Sequence, residues 1–198
     1  MDYCTTYPNP TLRYRKSDII LRVYSDASSL SVSKGRSQTA GYFYLFSAAQ
    51  SQNSPTTKPS TVPVNKSPFE PLPPSNGTVH VLCAILKSIT TSETEAEIAA
   101  IFVNCQEWIP LRNTLDSLGH PQPPTPIQVN NECAVGIVID TVKQKCTKSI
   151  DMRFYCIRDR VKQGQFYIYW RCGTEHLADY HTNIIPFPTI NLYEKIIC

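Results

Sequence analysis

Long apolar runs are missing from this sequence. No stretch approaches the ~20 residues that a membrane-spanning helix needs, so an integral membrane protein is not expected. The opening MDYCTTYPNP has no basic region leading into an apolar one, so no secretory signal is read there. The expected location is cytoplasmic or nuclear, not secreted. Blocks of Lys or Arg are absent too. A net charge of +3 and a pI near 8.4 permit a nucleic-acid partner without arguing for one. Paired-cysteine motifs are lacking although the chain holds eight cysteines. No two stand closer than ten residues, and there is no C-x-x-C or paired-His spacing, which argues against zinc and disulfides. Several cysteines lie in apolar runs, as Cys83 does in HVLCAIL, so reduced and mostly buried thiols are expected. The Asn76-Gly77-Thr78 sequon has no meaning without a secretory route.

What is present suffices for one folded unit. The chain has 198 residues, 41% of them hydrophobic, enough for a core and against global disorder. The stretch 50–77 holds seven of the sixteen prolines, with Ser, Thr, Gln and Asn filling most of the rest. Such a composition cannot offset its ordering entropy by burial, so it reads as a mobile Pro/Ser-rich loop inserted into a domain. The preceding ~49 residues are too few to fold alone.

β-branched and aromatic runs predict strands at 19–25, 41–46, 79–86 and 166–170, with a short one at 127–129. Polar Ser31 to Thr39 reads as a hairpin loop. Ser92 with Glu95 is a capping-box pattern opening a helix. Ile98, Ile101, Phe102, Cys105 and Ile109 continue it at helical spacing. Pro110 is expected to kink or break this helix, Leu111, Leu115 and Leu118 resume the stripe, and Gly119 ends it. Asn131 would cap a second helix. A third puts Ile150, Phe154, Ile157 and Val161 on one face and stops at Gly164, and a last short helix is expected from about Thr174. The order β-β-β-α-β-α-α-β-α implies an α/β domain on a mixed sheet.

Four acidic or amide residues stand near element ends: Asp26, Glu97, Asn130 and Asp179. Carboxylates converging at strand ends suit Mg²⁺, a hard cation with oxygen ligands, and two such ions about 4 Å apart support in-line phosphoryl displacement. Spacing alone leaves the alternative of solvated caps open.

At these residues the chain resembles the ribonuclease H domain of copia-type retrotransposon polyproteins. The resemblance runs through DYCTTYPNPTLRYRKSD, VYSDASSLSVSKGRS, GTVHVLCAILKSITTSETEAEIAAIF, LRNTLDSLGHPQPPTPIQVNNECAVGIV, KSIDMRFYCIRDRVKQGQFYIYWR and EHLADYHT, about residues 2 to 183. It implies an RNase H-like α/β fold, a five-stranded mixed sheet flanked by helices. It also implies a connection segment at 1–18, the domain at 19–183 with its loop insertion, and a tail at 184–198. The implied activity is two-metal hydrolysis of the RNA strand of RNA–DNA hybrids with Mg²⁺ (or Mn²⁺). Asp26, Glu97 and Asp179 match the family's metal-binding acids. The implied partners are an RNA–DNA hybrid and a reverse-transcriptase polymerase domain, with the chain itself a monomer. No polymerase motif is present, so the chain looks like an excised or relic piece. The resemblance follows ribonuclease H order through the last strand and helix, which sets an integrase-type nuclease behind it.

The sequence departs from the family at Asn130-Asn131, where the pattern has Asp-Asn. An amide brings no charge to a cation. Unit charges ~4 Å apart at a protein site's effective dielectric interact by about 4 kcal/mol. A net loss of two or three of these would weaken one ion's occupancy by ~30- to 100-fold. The alternative function is therefore a catalytically inactive relic that at most binds nucleic acid. Tyr24 replaces a polar or acidic residue, and the apolar tail IIPFPTINLYEKIIC differs from the family's basic end.

Other residues carry two readings each. Glu93, one turn before Glu97, reads as a solvated charge. His176 and His181 read as product-release groups or solvated loop histidines. Tyr167, Tyr169 and Trp170 read as stacking platforms or as core and sheet surface. Arg153, Arg158, Arg160 and Lys162, following Lys143, Lys145 and Lys148, read as phosphate contacts or a solvated helix face.

Overall fold

The computed structural model describes residues 12–47, 76–139, 151–172 and 176–182. Among the described residues, five strands and four helices follow one another: β1 (Ile20–Val32), β2 (Arg36–Phe46), β3 (Thr78–Ile85), α1 (Glu93–Ser117), β4 (Thr125–Val129), α2 (Glu132–Val138), α3 (Asp151–Lys162), β5 (Phe166–Trp170) and α4 (Asp179–Thr182). The sheet order is β3-β2-β1-β4-β5. β1, β2 and β3 form an antiparallel meander, whereas β4 runs parallel to both β1 and β5. This is the mixed sheet that the alternation of elements implied. Among the described residues, no helix is long and apolar enough to cross a membrane.

Sequence and structure differ first at the β1–β2 hairpin. Ser31 to Thr39 is mostly strand, and only residues 33–35 turn. Its polar residues are held by specific bonds: Ser37 is buried, its hydroxyl accepts from Leu30 N at 3.1 Å and meets Thr90 Oγ1 at 2.5 Å. Leu30 sits at φ 53° where the register shifts, a bulge that the polar composition concealed.

α1 runs unbroken through Pro110. Its second half is tied down independently of the lost backbone bond. Arg112 donates to the carbonyls of Gln122 and Pro123, and Leu111 and Leu115 pack on the core. At its start, Ser92 Oγ accepts from Glu95 N at 3.2 Å, as a capping box requires. The Glu95 carboxylate instead accepts from Thr91 N at 2.8 Å. Gly119 (φ 88°) and Gly164 (φ 68°) end α1 and α3 in the left-handed conformation that glycine adopts most readily.

The two sheet faces differ. Leu21, Val23, Phe43, Ile127, Val129, Phe166 and Ile168 pack under α1, α2 and α3 against Ile98, Ile101, Trp108, Phe154 and Ile157. The alternate residues Arg22, Tyr24, Tyr42, Tyr44, Gln128 and Tyr169 occupy the other face. Asn104 of α1 ties the two layers: its Nδ2 donates to Ser25 Oγ at 2.8 Å and to Ala40 O at 2.9 Å. That approach needs Gly41, because a Cβ there would stand 2.1 Å from Asn104 Oδ1.

The cysteine expectation needs correction. Cys105 is buried, but Cys83, Cys133 and Cys172 are exposed. Cys83 is exposed because β3 is an edge strand whose burial alternates residue by residue. All five described cysteines are free thiols. Of the Pro/Ser-rich insertion only Asn76 and Gly77 lie among the described residues. Both are packed: Asn76 Oδ1 accepts from Arg15 N at 2.7 Å and Gly77 N donates to Arg13 O at 2.9 Å. Ile150, Lys143, Lys145, Lys148 and Thr174 lie outside the described residues.

Candidate metal centre

The parallel register of β1 and β4 pairs Val23 with Ile127 and Tyr24 with Gln128. Two residues further on, β4 has ended and Asn130 comes level with Asp26. Asp26 is thus not at the end of β1, which continues to Val32; it is at the end of the β1–β4 ladder. Backbone groups on both sides of Asn130 are fixed. Trp170 Nε1 donates to Asn130 O at 3.0 Å, and Asn131 caps α2 by accepting from Ala134 N at 2.9 Å.

The Asn130 amide nitrogen donates to Asp26 Oδ1 at 2.9 Å and to Asp179 Oδ1 at 3.4 Å. Two carboxylate acceptors dictate that orientation, since the amide oxygen would meet them with lone pairs. Asp26 Oδ2 accepts from Thr182 Oγ1. α4 thereby delivers two groups, Asp179 and Thr182, one turn apart on one side. Glu97, in the first turns of α1, arrives from the helix-covered side. Its Oε1 accepts from Ala27 N at 3.3 Å, while its Oε2 is buried and has no partner. Asp26 and Glu97 are both buried and Asp179 is partly so.

Burial of this kind penalises charge. Asp26 is pushed above the usual carboxylate range first by desolvation and then by the neighbouring Asp179 charge; His176 acts in the opposite sense. Glu97 is raised well above that range, first by burial and then by Asp26. Among the described residues, none of the three acids has a Lys or Arg partner in an ion pair.

His176 requires the largest correction at the site. It is not a solvated loop histidine but is fully buried at 0% exposure. Its Nδ1 lies 3.2 Å from Asp179 Oδ1, its Nε2 lies 3.3 Å from Gln128 O, and its ring sits edge-on to Tyr24 at 5.4 Å. The position three residues before Asp179 was the available signal, because it puts both side chains on one side of a turn. Thr182 was missed, and the same i, i+3 spacing would have found it.

The remaining candidates are not among the ligand atoms that Asp26, His176 and Asp179 bring together. Glu93 is exposed, as a solvated helix charge should be. His181 is partly buried, and burial lowers its pKa. Tyr169 accepts from Arg22 and donates to Gln128 Oε1 at 3.1 Å, so it belongs to the sheet rather than to an open stacking surface. Arg153 donates to Ser88 Oγ at 2.7 Å, Arg160 to Gln165 Oε1 at 2.9 Å, and Arg158 lies over Phe154.

The donor set suits a dication. Oxygen and imidazole atoms of Asp26, His176 and Asp179 lie within 4.8 Å of one another. Glu97, raised first by burial and then by Asp26, keeps Oε2 without a partner, and a cation nearby would relieve both the repulsion and the missing partner.

No family model matches the chain. It is 23% identical over 181 residues to the retrovirus-related Pol polyprotein from transposon TNT 1-94 of Nicotiana tabacum, which covers 91% of this chain but only 12% of that polyprotein. The chain therefore spans about an eighth of the relative's length. A structural match links it to LC11-RNase H1, solved in complex with an RNA/DNA hybrid, with a TM-score of 0.52 at 13% identity over 82% of this chain and 94% of that one. The chain thus has an RNase H-like fold and is similar in sequence to a part of a retrotransposon Pol polyprotein.

Proposed function

We propose that this is a ribonuclease H-type domain of copia descent, built to hydrolyse the RNA strand of RNA–DNA hybrids and impaired by Asn130. The observation that supports it is the meeting of Asp26 and Asp179 at Asn130 beyond the β1–β4 ladder, with Glu97 held at the adjacent Ala27 N and one of its oxygens left unpartnered. These three acids would hold Mg²⁺ or Mn²⁺, with Asn130 in the fourth place. When bound, such ions supply charge stabilisation to both the attacking and the leaving oxygen of an in-line displacement at phosphorus. The chain's own contribution is rigid placement. Thr182 orients the Asp26 carboxylate, Ala27 N orients Glu97, and Trp170 fixes the backbone of Asn130.

Asn130 is also the observation that favours the second reading, an inactive relic that at most binds nucleic acid. Its amide nitrogen donates to two of the carboxylates that would hold an ion. The domain so read spans 19–183, acts as a monomer in the cytoplasm or nucleus, and has a hybrid duplex and a polymerase domain as its partners.

Hydrolysis of a labelled RNA–DNA hybrid, with and without Mg²⁺ or Mn²⁺, tests this. The wild type is expected to cleave very weakly. Asn130→Asp is expected to raise the rate by about tenfold or more, since one unit of charge restored at a divalent site is worth several kcal/mol before desolvation. Asp26→Asn in that background should abolish the gain. A wild type as fast as Asn130→Asp would remove the impairment. No cleavage by either, with hybrid still bound, would leave the relic reading.

A further inference from the structure

His176 plays no part in the ligand set that the acids define, yet its placement is that of a metal ligand. It is fully buried. Its Nε2 lies 3.3 Å from the Gln128 carbonyl, an acceptor only, so that nitrogen carries a proton. The other ring nitrogen, Nδ1, points at the carboxylates. It lies 3.2 Å from Asp179 Oδ1 and has no hydrogen-bond donor facing it. Two positive occupants would suit that approach, a proton on Nδ1 paired with Asp179 or a metal ion held by both atoms, and a metal titration separates them. Histidines that bind metals show this arrangement repeatedly: the distal N–H is anchored on a carbonyl, which fixes the tautomer and aims the other nitrogen. Tyr24, edge-on at 5.4 Å, restrains the ring further.

We infer that His176 Nδ1 is a metal ligand, and that the Asp26–His176–Asp179 centre takes a borderline transition dication such as Co²⁺ or Zn²⁺ in preference to Mg²⁺. The ligand atoms of the three residues fall within 4.8 Å of one another. The chemistry of the donors sets the preference. Imidazole suits transition metals, whereas Mg²⁺ favours oxygen donors and sheds its waters reluctantly. Asn130 pushes in the same direction, because a neutral amide in the fourth place removes charge that Mg²⁺ needs more than an imidazole-bound ion does. The inference rests on reading the centre as a metal site, but not on hydrolysis.

The test uses the full chain with its exposed thiols alkylated, since Cys83, Cys133 and Cys172 would otherwise compete for the same metals. Co²⁺ is titrated in, followed by visible absorption and by proton NMR in water. Binding is expected to produce d–d bands and one strongly shifted exchangeable resonance, the Nε2–H of a ring coordinated through Nδ1. Zn²⁺ should displace the ion at stoichiometric amounts, and millimolar Mg²⁺ should not. His176→Gln is expected to weaken Co²⁺ binding at least ~10-fold with Mg²⁺ affinity unchanged. The wild-type resonance decides the matter even if that variant folds poorly. If Mg²⁺ competes as well as Zn²⁺, or Co²⁺ binds without the shifted resonance, the His176 inference falls and the metal reading stands. If Mg²⁺, Mn²⁺, Co²⁺ and Zn²⁺ all fail to bind, both fall.

Discussion

The two faces of the sheet are built from the same strands and obey different rules. On the helix-covered face, Leu21, Val23, Phe43, Ile127 and Ile168 bury apolar surface against α1 and α3, with few polar atoms to satisfy. On the other face, Tyr44 donates to Tyr24 at 2.9 Å, Arg22 donates to Tyr169, and the Arg22 guanidinium lies 5.3 Å to 5.9 Å from the rings of Phe46, Tyr169 and Tyr24. One face depends on volume, the other on partnered polar atoms. Asp26, Asn130 and His176 belong to the polar face, and Glu97 reaches them from the apolar one where β4 stops. A buried acidic centre can exist there because the hydrogen-bonding face supplies Thr182, Asn130 and the Gln128 carbonyl, which the apolar face could not.

The comparison is broken most severely by emptying the apolar side. Trp108 is 1% exposed and packs edge-on to Phe166 at 5.2 Å. Trp108→Ala should destabilise the domain by ~3–5 kcal/mol, as large aromatic deletions in cores do. Its indole Nε1 is buried without a partner, so Trp108→Phe should cost far less. Urea unfolding followed by circular dichroism measures both. Equal losses for the two variants would show that the polar atom, not volume, governs this face.

A smaller change is expected at the junction. Asn130→Asp replaces two donated bonds to carboxylates with like charge, and without added metal it should cost ~1–3 kcal/mol at neutral pH. The pH dependence has a definite sign. Asp26 and Glu97 have folded-state pKa values raised above their unfolded ones. Between those values the native state binds more protons, so stability falls as pH rises from the ordinary carboxylate range through the raised values. Apo protein should therefore melt higher at pH 5 than at pH 8 through these groups. The slope should steepen in Asn130→Asp and flatten with saturating dication. Melting temperatures that rise over that range in both proteins would contradict the raised acids.

Much of this architecture was legible before any coordinate. β-branched and aromatic runs marked the strand cores, and Ser92, Asn131, Gly119 and Gly164 marked helix ends, because caps and left-handed turns are local chemistry. What escaped depends on partners far along the chain. Ser31 to Thr39 reads as loop until Thr90 is known to meet Ser37. Pro110 reads as a break until Arg112 is seen to grip the segment after the helix. Cys83 reads as core until β3 proves to be an edge. At the centre, Asn130 after β4 and Glu97 and Asp179 near helix starts could be read from sequence, whereas Asp26 lies inside a strand that runs on to Val32 and meets Asn130 only through the β1–β4 register. The spacing of His176 to Asp179 could be read, but its burial could not, since Tyr24 and the Gln128 carbonyl that cover it lie far along the chain.

The finest test exchanges one hydroxyl between neighbours on opposite faces. Phe43 and Tyr44 are adjacent in β2, and both are fully buried. Phe43 lies in the apolar cluster, where an added hydroxyl would find no designated acceptor; Phe43→Tyr should cost ~1–3 kcal/mol, the penalty for an unpaired buried polar group. Tyr44 donates to Tyr24 at 2.9 Å, and burial raises its pKa well above that of an ordinary phenol. Tyr44→Phe leaves the ring stack with Tyr24 at 5.2 Å in place and removes only the bond, so it should cost ~1 kcal/mol. Tyr24→Phe added to Tyr44→Phe should then cost little more, because neither ring would retain a hydroxyl lacking its partner. The double-mutant cycle reads that coupling directly. If Phe43→Tyr is neutral while Tyr44→Phe is costly, the apolar face is wetter than its packing implies. If the Tyr24 and Tyr44 substitutions simply add, the hydroxyls of the second face are satisfied independently and the polar face is not a network.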